Sequence, residues 1–260
     1  MTKIATWNVN SLNARLPRVL EFLELHKPDL LLMQETKVDP GKFPDLALAE
    51  AGYHAVHHSA GRWAGVAIAA PAQTELTDVC AGLAGEPDAD EARWLEATAG
   101  SLRVVTTYVP NGRAVDSPFY ADKLRFLDAA ADRIRALSGG ELLVAGDFNV
   151  CPADLDVYDP AAFAGETHVT PAERRRFQAL LDAGTVDSFR SLHADEPGFT
   201  WWDYRAGHFH KKMGLRIDAI LVSPPLAGRL TECGIDRNFR KGPKPSDHAP
   251  LLAQFALGGS

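Results

Sequence analysis

Apolar positions along the 260-residue chain gather into short continuous runs, with helical spacing in only a few places. Runs of strand length recur at Ile4–Val9, Leu30–Gln34, Gly65–Ala70, Val104–Val109, Leu142–Gly146, Ile217–Ser223 and Ala249–Phe255, and the pattern predicts a strand at each. Helical patterns lie between some of them. Arg18–His26 carries Val19, Leu20, Phe22, Leu23 and Leu25, and Tyr120–Leu137 places Leu124, Phe126, Leu127, Ile134 and Leu137 at helical spacing. A third helix is expected over Pro171–Ala183. It is announced by Thr170-Pro171-Ala172-Glu173, a cap threonine, a proline at the first helical position and a glutamate at the third. Strands outnumber helices and are spread over both halves, which fits two packed sheets flanked by helices better than a regular βαβ alternation. With no repeat, low-complexity tract or long Gly/Ser linker, residues 1–260 read as a single domain.

Composition adds limits. The chain is 46% hydrophobic and 23% charged, which excludes a mostly disordered protein. Its longest apolar stretches, Leu30–Met33 and Val66–Ala72, fall far short of the roughly 20 residues of a membrane-spanning helix. No apolar signal region follows Met1-Thr2-Lys3, and no Asn-x-Ser/Thr sequon occurs. Cys80, Cys151 and Cys233 are widely separated and odd in number. They form neither a disulfide framework nor a metal knuckle, so a cytoplasmic protein is expected. The net charge is −7, which taken alone argues against a nucleic-acid partner. The average conceals an asymmetry: residues 201–250 carry nine Lys/Arg against five Asp/Glu, whereas 71–100 hold seven acids and one arginine, Arg93. A phosphate-bearing partner therefore stays open.

Polar residues repeatedly end the apolar runs. Leu30–Met33 runs into Gln34-Glu35, Leu142–Gly146 into Asp147-Phe148-Asn149, and Ile4–Trp7 into Asn8-Val9-Asn10. Asp218 follows Arg216-Ile217, and Ser246-Asp247-His248 precedes the last strand. Each alone reads as a turn former, a charge leaving the core, or, for Asp218, a partner of Arg216. Together, carboxylates and amides with one histidine and no cysteine form an oxygen-donor set suited to a hard cation such as Mg²⁺ or Mn²⁺.

Seven segments, Trp7-Asn8-Val9-Asn10, Gln34-Glu35-Thr36-Lys37, Tyr108-Val109-Pro110-Asn111-Gly112, Gly146-Asp147-Phe148-Asn149, Phe199-Thr200-Trp201-Trp202-Asp203-Tyr204-Arg205, Arg216-Ile217-Asp218 and Ser246-Asp247-His248, follow in order. In this the chain resembles the exonuclease III family of DNA repair nucleases, the abasic-site (AP) endonucleases of the endonuclease/exonuclease/phosphatase superfamily, from about residue 3 to residue 255. The resemblance implies a four-layer, DNase I-like α/β sandwich, two mixed β-sheets packed face to face with helices on the outer faces. It also implies a Mg²⁺-dependent phosphodiesterase, with Mn²⁺ able to substitute, that cleaves DNA 5′ to abasic sites and trims or cleans 3′ ends. The implied metal ligands are Asn8, Glu35, Asp147, Asn149 and Asp247. The implied catalytic groups are Tyr108, Asp147, Asn149, Asp218 and His248, with Asp147 activating the water and Asp218 holding the His248 imidazole. Trp201, Leu215 and Ile217 match the walls of an abasic-sugar pocket.

Backbone contacts are expected from Asn111, Arg113, Arg205, Lys211 and Lys212, with Arg237, Arg240, Lys241 and Lys244 as further cations. His208-Phe209-His210 and Asn10 depart from the family pattern, and the former reads as a DNA-facing loop. His54, His57 and His58 read as surface residues and His168 as structural. The expected partner is double-stranded DNA with abasic sites or damaged or recessed 3′ ends, bound by a monomer with no membrane association and no tail to tether it. The alternatives are a same-fold phosphodiesterase acting on RNA, inositol phosphate or sphingolipid, and a DNA-binding module that has lost catalysis. The Gln-Glu-Thr-Lys, Tyr-Val-Pro-Asn-Gly and Phe-Thr-Trp-Trp-Asp-Tyr-Arg segments favour the DNA-repair branch.

Overall fold

In the computed structural model, which describes residues 1–256, the apolar runs become strands covered on both faces. The last four residues of the expected 1–260 domain lie outside the described residues. The chain runs through β1 (Thr2–Asn8), α1 (Leu12–His26), β2 (Leu30–Gln34), α2 (Asp45–Glu50), β3 (Tyr53–His58) and β4 (Val66–Pro71). It continues through β5 (Thr77–Ala81), β6 (Trp94–Ala99), β7 (Leu102–Tyr108), α3 (Pro118–Leu137), β8 (Glu141–Asp147) and α4 (Pro171–Asp182). β9 (Val186–Asp187), α5 (Ser188–Leu192), β10 (Asp218–Val222), α6 (Pro224–Ala227), β11 (Leu230–Ile235) and β12 (Leu251–Phe255) complete it.

Two six-stranded sheets result, ordered β11-β12-β1-β2-β4-β3 and β5-β6-β7-β8-β10-β9. Each holds one parallel pair, β1 with β2 and β7 with β8, among antiparallel neighbours. Alternate side chains explain the continuous apolar runs. Ile4, Leu30, Leu32, Val66 and Ile68 of one sheet meet Leu95, Val104, Leu143 and Ile220 of the other in the inter-sheet core. Ala5, Trp7, Leu31 and Met33 instead face Val19, Phe22, Leu23 and Leu48 of α1 and α2. Val105, Leu142 and Val144 face Phe126, Leu127, Ile134, Phe177 and Leu180 of α3 and α4. The architecture is thus the four-layer α/β sandwich that the motifs implied. A strand buried on both faces cannot alternate apolar with polar.

The helices begin where packing and caps require. α4 carries the expected capping box, Thr170 Oγ1 accepting the Glu173 N–H while the Glu173 carboxylate takes the Thr170 N–H. α1 starts at Leu12, earlier than the expected Arg18, because Leu12 is fully buried against the first sheet, and the helix keeps Pro17 inside it. The strands not expected from sequence are β3, β5, β6, β9 and β11. His54, His57 and His58, expected at the surface, are half-buried in β3: His57 stacks on Phe43 with ring centroids 4.1 Å apart, and His54 Nε2 lies 2.7 Å from the Thr74 carbonyl.

Candidate active site

The two parallel pairs point their C-terminal ends the same way, and the polar residues after the apolar runs collect there. Register sets them side by side: Asn8 pairs with Gln34 in one sheet, and Asp147 pairs with both Tyr108 and Asp218 in the other. Gly146 allows the close approach, since a Cβ there would sit 1.9 Å from the Thr107 carbonyl oxygen. Amides then lock the sheets to each other. Gln34 Nε2 donates to Thr6 Oγ1 at 3.0 Å and, across the sandwich, to Thr106 Oγ1 at 2.9 Å. Asn8 Nδ2 donates to Glu35 Oε1 at 2.8 Å and to Asp147 Oδ2 at 3.0 Å.

Glu35, Asp147 and His248 bring ligand-type atoms within 4.8 Å of one another. Glu35 leaves β2 in the left-handed region, φ +51°, which turns its carboxylate into this cluster, where Lys37 Nζ lies 2.6 Å from Oε2. Asp147 is buried, and its Oδ1 accepts the Asn149 N–H at 2.9 Å. His248 is reached from the opposite end of the chain. Ser246 Oγ donates to the Asn8 carbonyl at 2.7 Å and accepts the His248 N–H at 3.2 Å, while Trp7 Nε1 donates to the His248 carbonyl at 3.1 Å. Its Nδ1 lies 2.8 Å from Asp218 Oδ2, and its Nε2 lies 3.7 Å from Asp147 Oδ2.

Electrostatics follow from packing three carboxylates and an imidazole out of water. Burial alone would lower the His248 pKa, but Asp218 and Asp147 outweigh it and raise it to about 10. Burial raises the Asp147 carboxyl, against the pull of His248 and with the push of Asp218 and Glu35. Burial and the Glu35 charge hold Tyr108 well above the usual phenol range, as an O–H donor, with the Arg93 guanidinium 4.6 Å from its ring centre. Glu35 and Asp147 supply the carboxylate oxygens of the cluster, with the His248 imidazole beside them. Two hard carboxylates suit a divalent ion that prefers oxygen. Beside the cluster, Asp218 Oδ1 is buried without a hydrogen-bond partner.

The other expected ligands stand around this centre. Asn8 turns its amide nitrogen toward it, its Oδ1 being taken by the Asn10 N–H at 3.0 Å. Asn149 donates from Nδ2 to the Val109 carbonyl at 2.9 Å and accepts from Asn111 Nδ2 at 3.3 Å. The Asp247 carboxylate accepts from Asn10 Nδ2 at 2.9 Å and Trp201 Nε1 at 3.0 Å, outside the three-residue cluster. Trp201, Leu215 and Ile217 do come together, with Cys151 and Val157, but Leu215 and Ile217 are buried as a packed floor and only Trp201 is half-exposed.

Arg113 is exposed and stacked on Phe119 at 3.5 Å, while Lys211 and Lys212 are exposed and Arg205 is engaged by Asp203 at 2.5 Å. Arg240 departs from the expectation of a free surface cation: it is buried, donating to the Trp202 carbonyl at 3.0 Å and the Asp247 carbonyl at 3.2 Å. Arg216 likewise pairs with Asp156 at 2.6 Å and Asp187 at 2.8 Å, which leaves Asp218 for His248. Half-buried His168, read from sequence as structural, has its Nδ1 2.6 Å from the Asn149 carbonyl. The reading of the sequence missed Lys123. It sits in the interior of α3, and its only local signal is a lysine among the apolar positions of that helix.

Comparison with known proteins agrees with this geometry. The endonuclease/exonuclease/phosphatase family model matches residues 5–248. The chain is 33% identical to exodeoxyribonuclease III of Haemophilus influenzae over 97% of its length and 99% of the relative's. Among solved structures, it is 42% identical, with a TM-score of 0.95, to the Neisseria 3′ phosphatase NExo bound to a product DNA hairpin, covering 99% of this chain and 100% of that one. An AP endonuclease from Archaeoglobus fulgidus is 39% identical with a TM-score of 0.94, over 99% of this chain and 100% of that one.

Proposed function

The chain belongs to the endonuclease/exonuclease/phosphatase family, as a nuclease of its exonuclease III branch, and we propose that it is a Mg²⁺-dependent DNA-repair phosphodiesterase. In this reading it cleaves the backbone of double-stranded DNA 5′ to abasic sites, leaving a 3′-hydroxyl, and removes nucleotides or blocking groups from 3′ ends. Residues 1–260 act as one catalytic domain of a cytoplasmic monomer, and Mn²⁺ substitutes for Mg²⁺. The observation that carries the reading is the juxtaposition of the Glu35 and Asp147 carboxylates with an Asp218-held His248 imidazole. The relatives that act on 3′ ends and on abasic sites support both activities as uses of one centre.

The residues divide the work by their chemistry. Hydrolysis needs a proton taken from water, negative charge neutralised on phosphorus-bound oxygens, and a leaving oxygen protonated or stabilised. Asp147, buried beside His248 and Glu35, aligns the attacking water and takes its proton. His248 donates from Nε2 to a non-bridging phosphate oxygen, and Asp218 fixes its tautomer and charge. Tyr108 supplies an O–H toward the phosphate or the leaving oxygen, and the Asn149 amide a further donor. Glu35 and Asp147 would hold the cation, with Asn8, Asn149 and Asp247 at its periphery through water. When bound, it supplies electrostatic stabilisation of the developing charge.

Trp201 over the Leu215–Ile217 floor offers an apolar wall with no base-reading group, which suits a sugar that has no base. Asn111, Arg113, Arg205, Lys211 and Lys212 hold the backbone on either side.

The test uses two labelled duplexes, one with a single abasic-site analogue and one undamaged with a recessed 3′ end, each with Mg²⁺ and with chelator. Metal-dependent incision at the lesion and loss from the recessed end are expected. Folded, metal-replete protein that cleaves neither would reject the proposal in favour of RNA, inositol phosphate or lipid substrates.

A further inference from the structure

Close to Asp147 lies a second buried charge pair that the chemistry above does not use. The side chains of Lys123 on α3 and Glu173 on α4 have no exposure, and Lys123 Nζ lies 2.5 Å from Glu173 Oε1. Withdrawing both charges from water is costly unless further hydrogen bonds satisfy them, and here they are satisfied in full. Glu173 Oε1 also accepts from Thr167 Oγ1 at 2.8 Å and the His168 N–H at 2.9 Å. Its Oε2 accepts from the Thr170 N–H at 3.0 Å and Thr170 Oγ1 at 2.8 Å.

The remaining partners of Lys123 lead into the active site. Nζ lies 2.6 Å from the Asn149 carbonyl oxygen, 3.2 Å from that of Asn111 and 3.2 Å from Thr167 Oγ1. Asn149 in turn donates its N–H to Asp147 Oδ1, and its side-chain oxygen accepts from Asn111. Both loops are drawn tightly onto the lysine. Asn149 takes a left-handed φ of +51°. Gly112 has φ +89°, and a Cβ there would lie 3.0 Å from both Lys123 Cδ and Thr167 Oγ1. A buried ammonium needs acceptors wherever it lies, and here two of them, the Asn111 and Asn149 carbonyls, belong to the loops that carry the candidate site residues.

We infer that Lys123, neutralised by Glu173, is a positioning residue: its ammonium pins the Asn111 and Asn149 carbonyls and thereby fixes Asp147 and the Asn149 amide for attack on the phosphate. The inference rests on the cleavage reading above. Orientation errors near 1 Å cost about 10²-fold in rate, so the pin acts on the rate of the chemical step and leaves DNA affinity alone.

The test uses the full chain carrying Lys123→Met and Glu173→Gln together, because either change alone strands a buried charge. Single-turnover cleavage of the recessed duplex with Mg²⁺ is expected to fall about 10- to 100-fold, with duplex affinity in chelator within about twofold and the circular dichroism of the wild type. A wild-type single-turnover rate in this folded variant overturns the inference. If the double variant does not fold, Thr167→Val decides. It removes the hydroxyl shared by Lys123, Glu173 and Asn111, and the rate should fall about 3- to 10-fold; an unchanged rate overturns the inference. A wild-type protein that cleaves nothing overturns the cleavage reading itself, a result independent of both variants.

Discussion

Buried charge takes two forms in this molecule. In one, each buried charge meets opposite charge: Arg216 lies between Asp156 and Asp187, Lys123 meets Glu173, and, farther along the sheet, Glu96 receives Arg103 at 2.5 Å, Arg133 at 2.7 Å and Trp94 Nε1 at 2.8 Å. In the cluster of Glu35, Asp147, Asp218 and His248, three carboxylates face one imidazolium and the Lys37 ammonium, and one buried carboxylate oxygen has no partner. Matched networks rigidify a scaffold. A centre with surplus negative charge stores unmet electrostatic demand, which a cation and a phosphate can satisfy together. Substitutions in the Arg216 and Glu96 networks should therefore cost stability, substitutions in the second kind should cost chemistry, and the Lys123–Glu173 pair, which reaches the Asn149 carbonyl, should cost rate.

The strongest challenge to that contrast is the pair Glu35→Ala and Asp147→Ala. Each should lower metal-dependent cleavage by at least about 10³-fold while the thermal midpoint in chelator stays at or above that of the wild type. A marked loss of stability would place these residues with the scaffold. Arg216→Met should do the reverse. It leaves Asp187 unpaired in the interior, and its cost lies at the lower end of roughly 3–5 kcal/mol, because Arg190 still faces Asp156 at 2.5 Å. Denaturant melts read that loss, and cleavage per folded molecule should stay close to wild type.

A smaller effect carries a pH signature. Burial alone would raise the Glu96 carboxyl, but Arg133, Trp94 and Arg103 outweigh it and hold the pKa below the ordinary 4.5. The folded state thus binds fewer protons than the unfolded one, so the stabilisation is present above pH 4.5 and is lost as pH falls through the lowered folded value. Glu96→Gln should cost about 1–3 kcal/mol at pH 7, and the gap to wild type should close on acidification. A gap that widens in acid would contradict the assignment. Smallest is Trp201→Ala, expected to reduce discrimination for abasic over intact duplex by about tenfold, with metal binding unaltered. Unchanged selectivity would remove Trp201 from the pocket.

How much of this could be read from the chain alone depends on burial. The double-faced strands β1, β2, β4, β7, β8, β10 and β12 announce themselves as apolar runs because both faces are covered. The edge strands β3, β5, β9 and β11 do not, since one side meets solvent and no run forms. β6 was hidden differently, by Glu96 in mid-strand, whose burial makes sense only once Arg103 and Arg133 are in place. The centre was legible because its residues sit at run ends within recognisable motifs. The partners of Lys123, Arg216 and Arg240 were not, for Glu173, Asp156 and Trp202 lie tens of residues away in sequence and only the folded sandwich brings them together. Sequence suggested Arg216 for Asp218; packing joins it to Asp156 and Asp187 instead.

The contrast between the two kinds of buried charge is tested most directly by Mn²⁺ binding, followed by electron paramagnetic resonance on four folded proteins. These are the wild type, Glu35→Ala, Asp147→Ala and the Lys123→Met/Glu173→Gln double variant. The account predicts a site present in the wild type and the double variant and weakened by at least about tenfold in Glu35→Ala and Asp147→Ala. Undiminished Mn²⁺ binding in folded Glu35→Ala and Asp147→Ala would contradict it.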